Sequence, residues 1–531
     1  MGALPTMTPV LIVGGGPAGL TLSLLLSRHG VPSLLVDKRT RPSTLPRARG
    51  IHARAMEIAR SCGVEDALRA VELPITPGVR WHSVLSAPPP ARSERFSAAV
   101  DDDVSPCEGL AVAQDVLEEQ LHAHAADRPT ATVRQGMELT GLEVDPDRVV
   151  ATVVETDGGR EQRVEARYLV AADGVHSGVR SRLGIPMDGE PDLGTRTWIA
   201  FRADLSPYVG RNPHGLYVLT GSSSVLLWTH PDDRWVLSGP VDPADPDGAH
   251  AADKVRTAIG DSRLPVEVLG HRVWTAAAQT ARRLRSGPVF LVGDAAHRVP
   301  PAGATGMSTA MHDAHNLAWK LAAALDGRAG DSLLETYEAE RLPVARRTAA
   351  EARAMWETFA GRPPAQPQRS MRQIDMGYRY VSAAITDDDP TAPDPDAPGS
   401  DYTPTARPGC RAPHLWLDAR RRQSTLDLFG ADLVLLSDTG AGWAEAARKI
   451  SADPATPLRF HRVDAPGWAE RYGVRAGGAV LVRPDGHIAW RRPHPYTDQS
   501  GAEAAALKTA IRTALCAAGA GADTSSGLPT A

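Results

Sequence analysis

The sequence predicts an α/β fold, and three observations carry that reading. A strand, a glycine turn, a helix and a second strand follow one another at the start of the chain. A buried-looking strand returns at 288–292 after a long run of short β-rich segments, and a small α/β stretch follows a Pro- and Asp-rich break. With 531 residues the chain exceeds the ~250–300 at which one hydrophobic core stops growing, so it divides into domains.

Each element has its local reason. Residues 10–13, VLIV, are a continuous apolar run suited to a strand covered on both faces. Pro17 stands where the first turn of a helix tolerates proline, Gly30 is placed to end that helix, and 33–36 supply the second parallel strand. The stretch LAVAQDVLEEQLHAHA turns helical from Val116, and VEARYLVAADGVHSGVRSRLGI holds a strand that ends at Asp173 and Gly174. From about 186 to 276 the pattern changes to RTWIAFRADL, GLYVLTG, SVLLWTH and RWVLSGPV, short runs separated by Pro, Asp and Gly, which predict a mostly antiparallel sheet. GPVFLVGDAAH returns to a buried strand, and MSTAMHDAHNLAWKLAAAL reads as an amphipathic helix with Ala310, Ala314, Leu317 and Leu321 on one face. Helical character continues after Thr348 to about Ala383. ADLVLLSD, LRFHRVD and AVLVRPDGHIAWRR then give three strand-like runs joined by helical ones.

The expected domains are therefore 1–185, with a small excursion into the substrate domain at about 76–105; the β-rich insert 186–276; a second part of the first domain with connecting helices, 277–383; a linker, 384–409; a closing α/β domain, 410–521; and a disordered tail, 522–531.

GGGPAG at 14–19 sets Gly14, Gly16 and Gly19 in GxGxxG spacing. Gly14 permits the turn, Gly16 lets backbone approach a pyrophosphate, and Gly19 lets the helix pack close to the strand, while Pro17 and Ala18 open a helix whose N–H groups favour an anion. Asp37, with Lys38 beside it, ends the second strand where a carboxylate accepts both hydroxyls of an adenosine ribose. Asp294 follows the returning strand, in the crevice where α/β sheets bind ligands. NAD has no ribityl hydroxyls to reach that point, whereas FAD does. Gly303 and Gly306 would let the next helix start against the isoalloxazine and favour the negative charge of a reduced flavin. The sequence thus points to a Rossmann-like FAD-binding domain.

The glycines at 14–19, DG at Asp173 and Gly174, and GDAAH at 293–297 resemble, in order and spacing, the three fingerprints of the single-component, class A flavoprotein aromatic hydroxylases, with the p-hydroxybenzoate hydroxylase fold. PPAGATGMSTAMHDAHNLAWKL and TYEAERLPVARR look most like the branch that hydroxylates aromatic polyketides in actinobacteria, alongside phenol hydroxylase and rifampicin monooxygenase. RPGCRAPHLWL and YGVRAGGAVLVRPDGHIAW resemble the thioredoxin-like C-terminal domain of phenol hydroxylase and its polyketide relatives.

The resemblance implies FAD held non-covalently, NADPH or NADH as transient reductant and O2 as co-substrate. It also implies oxygen transfer through a flavin C4a-hydroperoxide to a phenolic or polycyclic aromatic polyketide. By motif position, Asp37 would hold the ribose, Arg47 in PRARGIHARAMEI would lie near the pyrophosphate and the mobile flavin, and Gln114 would touch FAD. Asp173 would support both nucleotides, with Arg180 close by, and Asp294 would bind the ribityl chain. Pro300, Pro301 and the residues through Gly303, Gly306 and Met307 would line the flavin ring, and no general base is assigned. Two positions depart from the pattern: Ala304 replaces a glycine and Ser308 an asparagine. For the β-rich insert the expectation is an aromatic substrate wall of Trp198, Phe201, Tyr217, Trp228 and Trp235, with simple core packing as the competing reading.

Baeyer-Villiger oxidation or another oxidative ring rearrangement on the same scaffold stays open, as does a flavoprotein that has lost catalysis and works as a binding partner. Flavin halogenases share the fold, but their WxWxIP signature is absent. The formal net charge of -5 gives no basic surface for nucleic acid. No apolar run approaches the ~20 residues of a spanning helix, and no leader is apparent, so a cytoplasmic protein is expected. Cys62, Cys107, Cys410 and Cys516 show no CxxC or metal spacing, which predicts reduced thiols, no metal site and no thiol redox chemistry in the last domain. His312 and His315 read as a polar helix face rather than metal ligands. Packing or homodimer contacts are the expected role of the C-terminal domain.

Overall fold

The computed structural model describes residues 4–41, 48–88, 93–94, 103–359, 361–362, 367–438, 441–453, 456–497 and 501–517. Two compact units share the chain.

The first unit comprises 1–27, 32–314 and 345–368. It is built on an eight-stranded sheet whose path runs Arg285–Ser286, Val289–Leu291, Glu161–Ala171, Met7–Val13, Ser33–Asp37 and Ala131–Gln135. The four neighbour pairs from Val289–Leu291 to Ala131–Gln135 are all parallel. Val10 to Ile12 and Leu34 to Val36 have no exposed surface, as a strand covered on both faces requires. Pro17–Arg28 is the crossover helix between the first two strands. Met137–Val144 and Val149–Glu155 form an antiparallel meander that leads into Glu161–Ala171.

The β-rich insert forms a seven-stranded sheet in the order Glu267–Thr275, Thr195–Arg202, Arg234–Pro240, Ser224–His230, His214–Leu219, Thr76–His82 and Ser93–Glu94. Thr76–His82 pairs parallel with His214–Leu219, so a segment far upstream completes this sheet. One face packs Ile199, Phe201, Tyr217, Leu226, Trp228 and Trp235 against the helix Ala251–Ile259 through Val255, Ala258 and Ile259. The other face gathers Trp198, Ala200 and Val236 with the half-buried Leu227, Leu269 and Trp274. Two smaller sheets, Arg49–Ile51 with Leu110–Ala113 and Met187–Glu190 with Ala278–Ala281 and His297–Arg298, complete the unit.

The second unit comprises 28–31, 315–344 and 369–531. Its sheet order is Leu458–Arg462, Leu433–Ser437, Ala479–Val482, Ile488–Arg492, with the first pair parallel and the others antiparallel. Helices Ala441–Ile450, Trp468–Tyr472 and Ala502–Ala514 fall between and after these strands. That order of strands and helices is a thioredoxin-like core. It carries no CxxC, and burial pushes the Cys410 thiol up to about 12, where it is inert at neutral pH.

Three expectations about local structure are corrected. The helix Thr305–Leu325 is not amphipathic, because His312, Asp313, Asn316 and Lys320 are buried alongside Ala314, Leu317 and Leu321. Among the described residues, helical structure after Thr348 runs to Phe359 and is next found over Met371–Met376, and 377–383 is irregular. The Pro- and Asp-rich stretch forms no regular element yet is tied down: Arg369 donates to Asp396 O, and Arg407 donates to the carbonyls of Asp389, Ala392 and Pro393. The tail expected at 522–531 lies outside the described residues.

Candidate active site

The register of the parallel sheet brings the three fingerprints level. Val13 stands beside both Val36 and Ala171, and Ala171 beside Leu291. The residues that end or follow these strands, Gly14, Asp37, Asp173 and Asp294, therefore share the carboxyl edge of the sheet.

At the first turn, Gly14 has φ +113° and donates its N–H to Val36 O at 2.8 Å. A Cβ on Gly14 would lie 2.2 Å from Ala172 O, and one on Gly19 would lie 2.0 Å from Gly14 O. Both positions accept only glycine because backbone fills the space. Gly16 differs, since the nearest atom to a Cβ there is Glu118 Oε1 at 4.0 Å. Among the described residues the chain leaves open the ground in front of Gly16, where the helix begins with Pro17, which has no N–H, and the first N–H groups from Ala18 onward lack helical partners. That is the cradle a pyrophosphate needs.

Asp37 is buried, and its carboxylate accepts from Gly15 N–H at 2.5 Å and Arg39 N–H at 2.7 Å. Arg39 bridges Asp37 and Glu118, each at 3.0 Å, and Gln114 Nε2 donates to Glu118 Oε1 at 2.7 Å. Burial alone would raise the Asp37 carboxyl, but the Arg39 hydrogen bonds and charge hold it below its ordinary value. Lys38 is exposed. Arg39 and Glu118 were missed by sequence reading; the signal for Arg39 is a cation two residues beyond the strand-end acid, and Glu118 is placed by the turn of helix Gln114–Ala126.

In the second fingerprint Asp173 Oδ2 accepts from Val179 N–H at 3.1 Å, while its buried Oδ1 has no hydrogen-bond partner among the described residues. Arg180 is buried and donates to Ala295 O at 2.9 Å and Val175 O at 3.1 Å. It thus ties the second fingerprint to the third.

The third fingerprint is held from behind by a residue that sequence reading passed over. Asp313 Oδ2 accepts from Gly293 N–H at 3.0 Å and lies 2.7 Å from His297 Nε2, with both side chains fully buried. Asp294 is exposed at the strand end. Pro300 is buried, Pro301 and Ala304 are exposed, and Gly303, Gly306 and Met307 are half-buried. Gly303 and Ala304 both have positive φ, at +79° and +53°. His52 joins this loop twice, with Nε2 2.8 Å from Gly303 O and its N–H donating to Ser308 Oγ at 2.9 Å. The Ser308 hydroxyl thus accepts a bond from within the chain. Arg47 lies outside the described residues.

The five expected wall residues do not share a face. Phe201, Tyr217, Trp228 and Trp235 are in the core under the helix, and Trp198 is on the opposite face beside Trp274, 6.4 Å ring to ring. On that face Leu216, Val218, Val225 and Leu227 are only half-buried. Strand alternation put the aromatics on two sides, which composition alone does not resolve.

The open ground at Gly16, the orphaned oxygen of Asp173 and the exposed Asp294 along one sheet edge fit a long, phosphate-bearing ligand with hydroxyls. Comparison with known proteins gives the same answer. Residues 7–352 match a family described as FAD binding domain, and 405–518 match one described as aromatic-ring hydroxylase, C-terminal. The chain belongs to the FAD-dependent aromatic-ring hydroxylases. Among the relatives of this hydroxylase is a putative polyketide hydroxylase of Streptomyces halstedii, 39% identical over 92% of this chain and 94% of the relative. A tetracenomycin A2 monooxygenase-dioxygenase of Streptomyces glaucescens is 37% identical over 94% of this chain and 96% of its own. A solved ternary complex of aklavinone-11 hydroxylase with FAD and aklavinone superposes with a TM-score of 0.86, at 34% identity, over 97% of this chain and 100% of that one. The hydroxylase is a flavin-dependent monooxygenase with FAD as its cofactor.

Proposed function

We propose that this monooxygenase hydroxylates a phenolic or polycyclic aromatic polyketide, drawing electrons from NADPH or NADH and one oxygen atom from O2. The observation that carries the substrate class is the second face of the seven-stranded sheet. Leu216, Val218, Val225, Leu227 and Trp274 keep part of their apolar surface uncovered there, beside the buried Trp198, whereas the first face is closed by its helix. A flat polycycle buries such a surface and keeps water from the reaction. The relatives named for polyketide hydroxylation support the same class.

In this reading Gly14, Gly16 and Gly19 with the helix start at Pro17 and Ala18 hold the pyrophosphate. Arg39 and Arg47 add positive charge, Asp37 takes the ribose, and Gln114 lies against the nucleotide. Asp294 binds the ribityl hydroxyls, and the Pro300–Met307 loop lines the flavin ring. FAD bound there supplies the redox and oxygen chemistry. The chain's own work is to orient: Asp313 fixes the Gly293 turn, Arg180 couples the second and third fingerprints, and His52 pins the loop at Gly303. The reading carries a cytoplasmic location and pairing of two copies.

Anaerobic titration of the FAD-loaded protein with NADPH, with and without a hydroxyanthraquinone, tests the proposal. Bleaching of the flavin at least tenfold faster with the aromatic present is the expected result. Equal rates would remove substrate-gated reduction, and a product in which a ketone has become an ester would replace hydroxylation with Baeyer-Villiger oxidation.

A further inference from the structure

Arg49 opens the short strand Arg49–Ile51, and its side chain reaches the seven-stranded sheet. Nη1 donates to Trp228 O at 3.2 Å and Nη2 to Gly215 O. Among the described residues, two of the five N–H donors of the guanidinium are used in this way. Among the described residues the group meets no carboxylate, and the one titratable neighbour acting on it is Tyr217. Burial pushes the guanidinium down to about 10, so it keeps its charge at neutral pH in surroundings that do not neutralise it.

The surroundings add positive charge or neutral groups. Arg80 Nε donates to His214 Nε2 at 2.8 Å, and burial with the nearby Arg80 and His82 keeps the His214 imidazole below its ordinary value. Tyr217 OH accepts from His214 N–H at 2.8 Å, and burial holds that phenol protonated. The His82 ring is 6.1 Å from the Tyr217 ring. A buried charge is costly unless it is paired, so a cation kept without an acid partner calls for an anion from outside the chain. Arg49 as a whole residue is half-buried.

We propose that Arg49 is a specificity residue that binds an ionised oxygen of the substrate, selecting aromatic substrates that carry an acidic phenol or a carboxylate. The inference rests on the aromatic-substrate reading above and deepens it. The substrate is favoured over the flavin phosphates because both of these bonds of Arg49 go to strands of the β-rich sheet, His214–Leu219 and Ser224–His230. An ionised phenol is also the more electron-rich ring, which is the form that accepts an electrophilic oxygen.

The test uses the FAD-loaded full chain and two probes, alizarin, whose colour reports ionisation, and anthraquinone, which cannot ionise. Bound to the wild type, alizarin should ionise about one to three pH units lower than in water. Arg49→Met should abolish that shift and weaken alizarin binding about tenfold or more, with anthraquinone and FAD binding unchanged. Arg49→Lys should keep part of the shift. Alizarin bound with an unshifted ionisation in the wild type overturns the inference whether or not Arg49→Met folds. So does an Arg49→Met protein that keeps the shift, or one that loses FAD affinity instead, which would give the anion to the flavin. Failure of both quinones to bind the wild type overturns the substrate reading itself, and this inference with it.

Discussion

Ala304 sits at φ +53° next to Gly303 at +79°, a left-handed step that costs a non-glycine residue about 1–2 kcal/mol. Glycine there would relieve that cost but lose about 0.5–1 kcal/mol of chain entropy. Ala304→Gly should therefore stabilise the protein by up to about 1 kcal/mol, read as a higher midpoint in urea; a lower midpoint would show that the loop gains from alanine. Asp294 makes the opposite kind of prediction, because it is exposed and its replacement disturbs little packing. Hydrogen bonds to charged groups are worth about 1.5–3 kcal/mol, so Asp294→Ala should bind FAD roughly 10- to 100-fold more weakly while melting as the wild type does without FAD. Unchanged affinity in a flavin fluorescence titration would remove Asp294 from the cofactor site. At this scale the sequence was legible wherever backbone demands a residue type. Gly14 and Gly19 are glycine because Ala172 O and Gly14 O occupy the space of a Cβ. Glu118 and Asp313 were not legible, since what marks them is a partner far along the chain, whereas Arg39 carried a local signal in Asp37 two residues before it.

Helix Thr305–Leu325 shows the limit of periodicity among elements. Its apolar positions were read correctly, but the polar ones between them are buried too, and they meet partners that no local pattern announces. In the second unit Lys320 Nζ and Asn316 Nδ2 each donate to Glu340 Oε2 at 2.7 Å, and Arg483 Nη1 donates to Glu340 Oε1 at 2.6 Å. Burial would raise the Glu340 carboxyl, yet Arg483 and Lys320 hold it well below the usual carboxylate range. Removing one partner of a buried pair strands the others, at about 3–5 kcal/mol. Glu340→Gln should cost about that much at pH 7, by chemical denaturation. A carboxyl whose folded pKa is depressed adds stability above its unfolded pKa and loses it as pH falls through the folded value. The gap between wild type and Glu340→Gln should therefore narrow below about pH 4. A gap that stays constant would show that Glu340 is not charged in the folded protein. The strands of the β-rich insert were equally visible, while their facing was not. Trp228 and Trp235 look like substrate contacts in one dimension and are core under Ala251–Ile259 in three.

For the whole molecule, the α/β class, the interrupted nucleotide domain and a small closing α/β domain were legible, because glycine spacing and buried strand runs are local, while the thioredoxin-like character of that end came by resemblance. What was hidden is the assembly of those parts, such as the upstream strand Thr76–His82 entering the distant seven-stranded sheet. The proposed function has this chain place one atom of O2 on an aromatic ring at the expense of a nicotinamide. Turnover of a polyphenolic polyketide with NADPH under 18O2, followed by mass spectrometry and NMR of the product, tests it most directly. The expected product has a new ring hydroxyl carrying a single 18O. NADPH consumed with hydrogen peroxide as the sole oxygen product, or label absent from an oxidised ring, would contradict it.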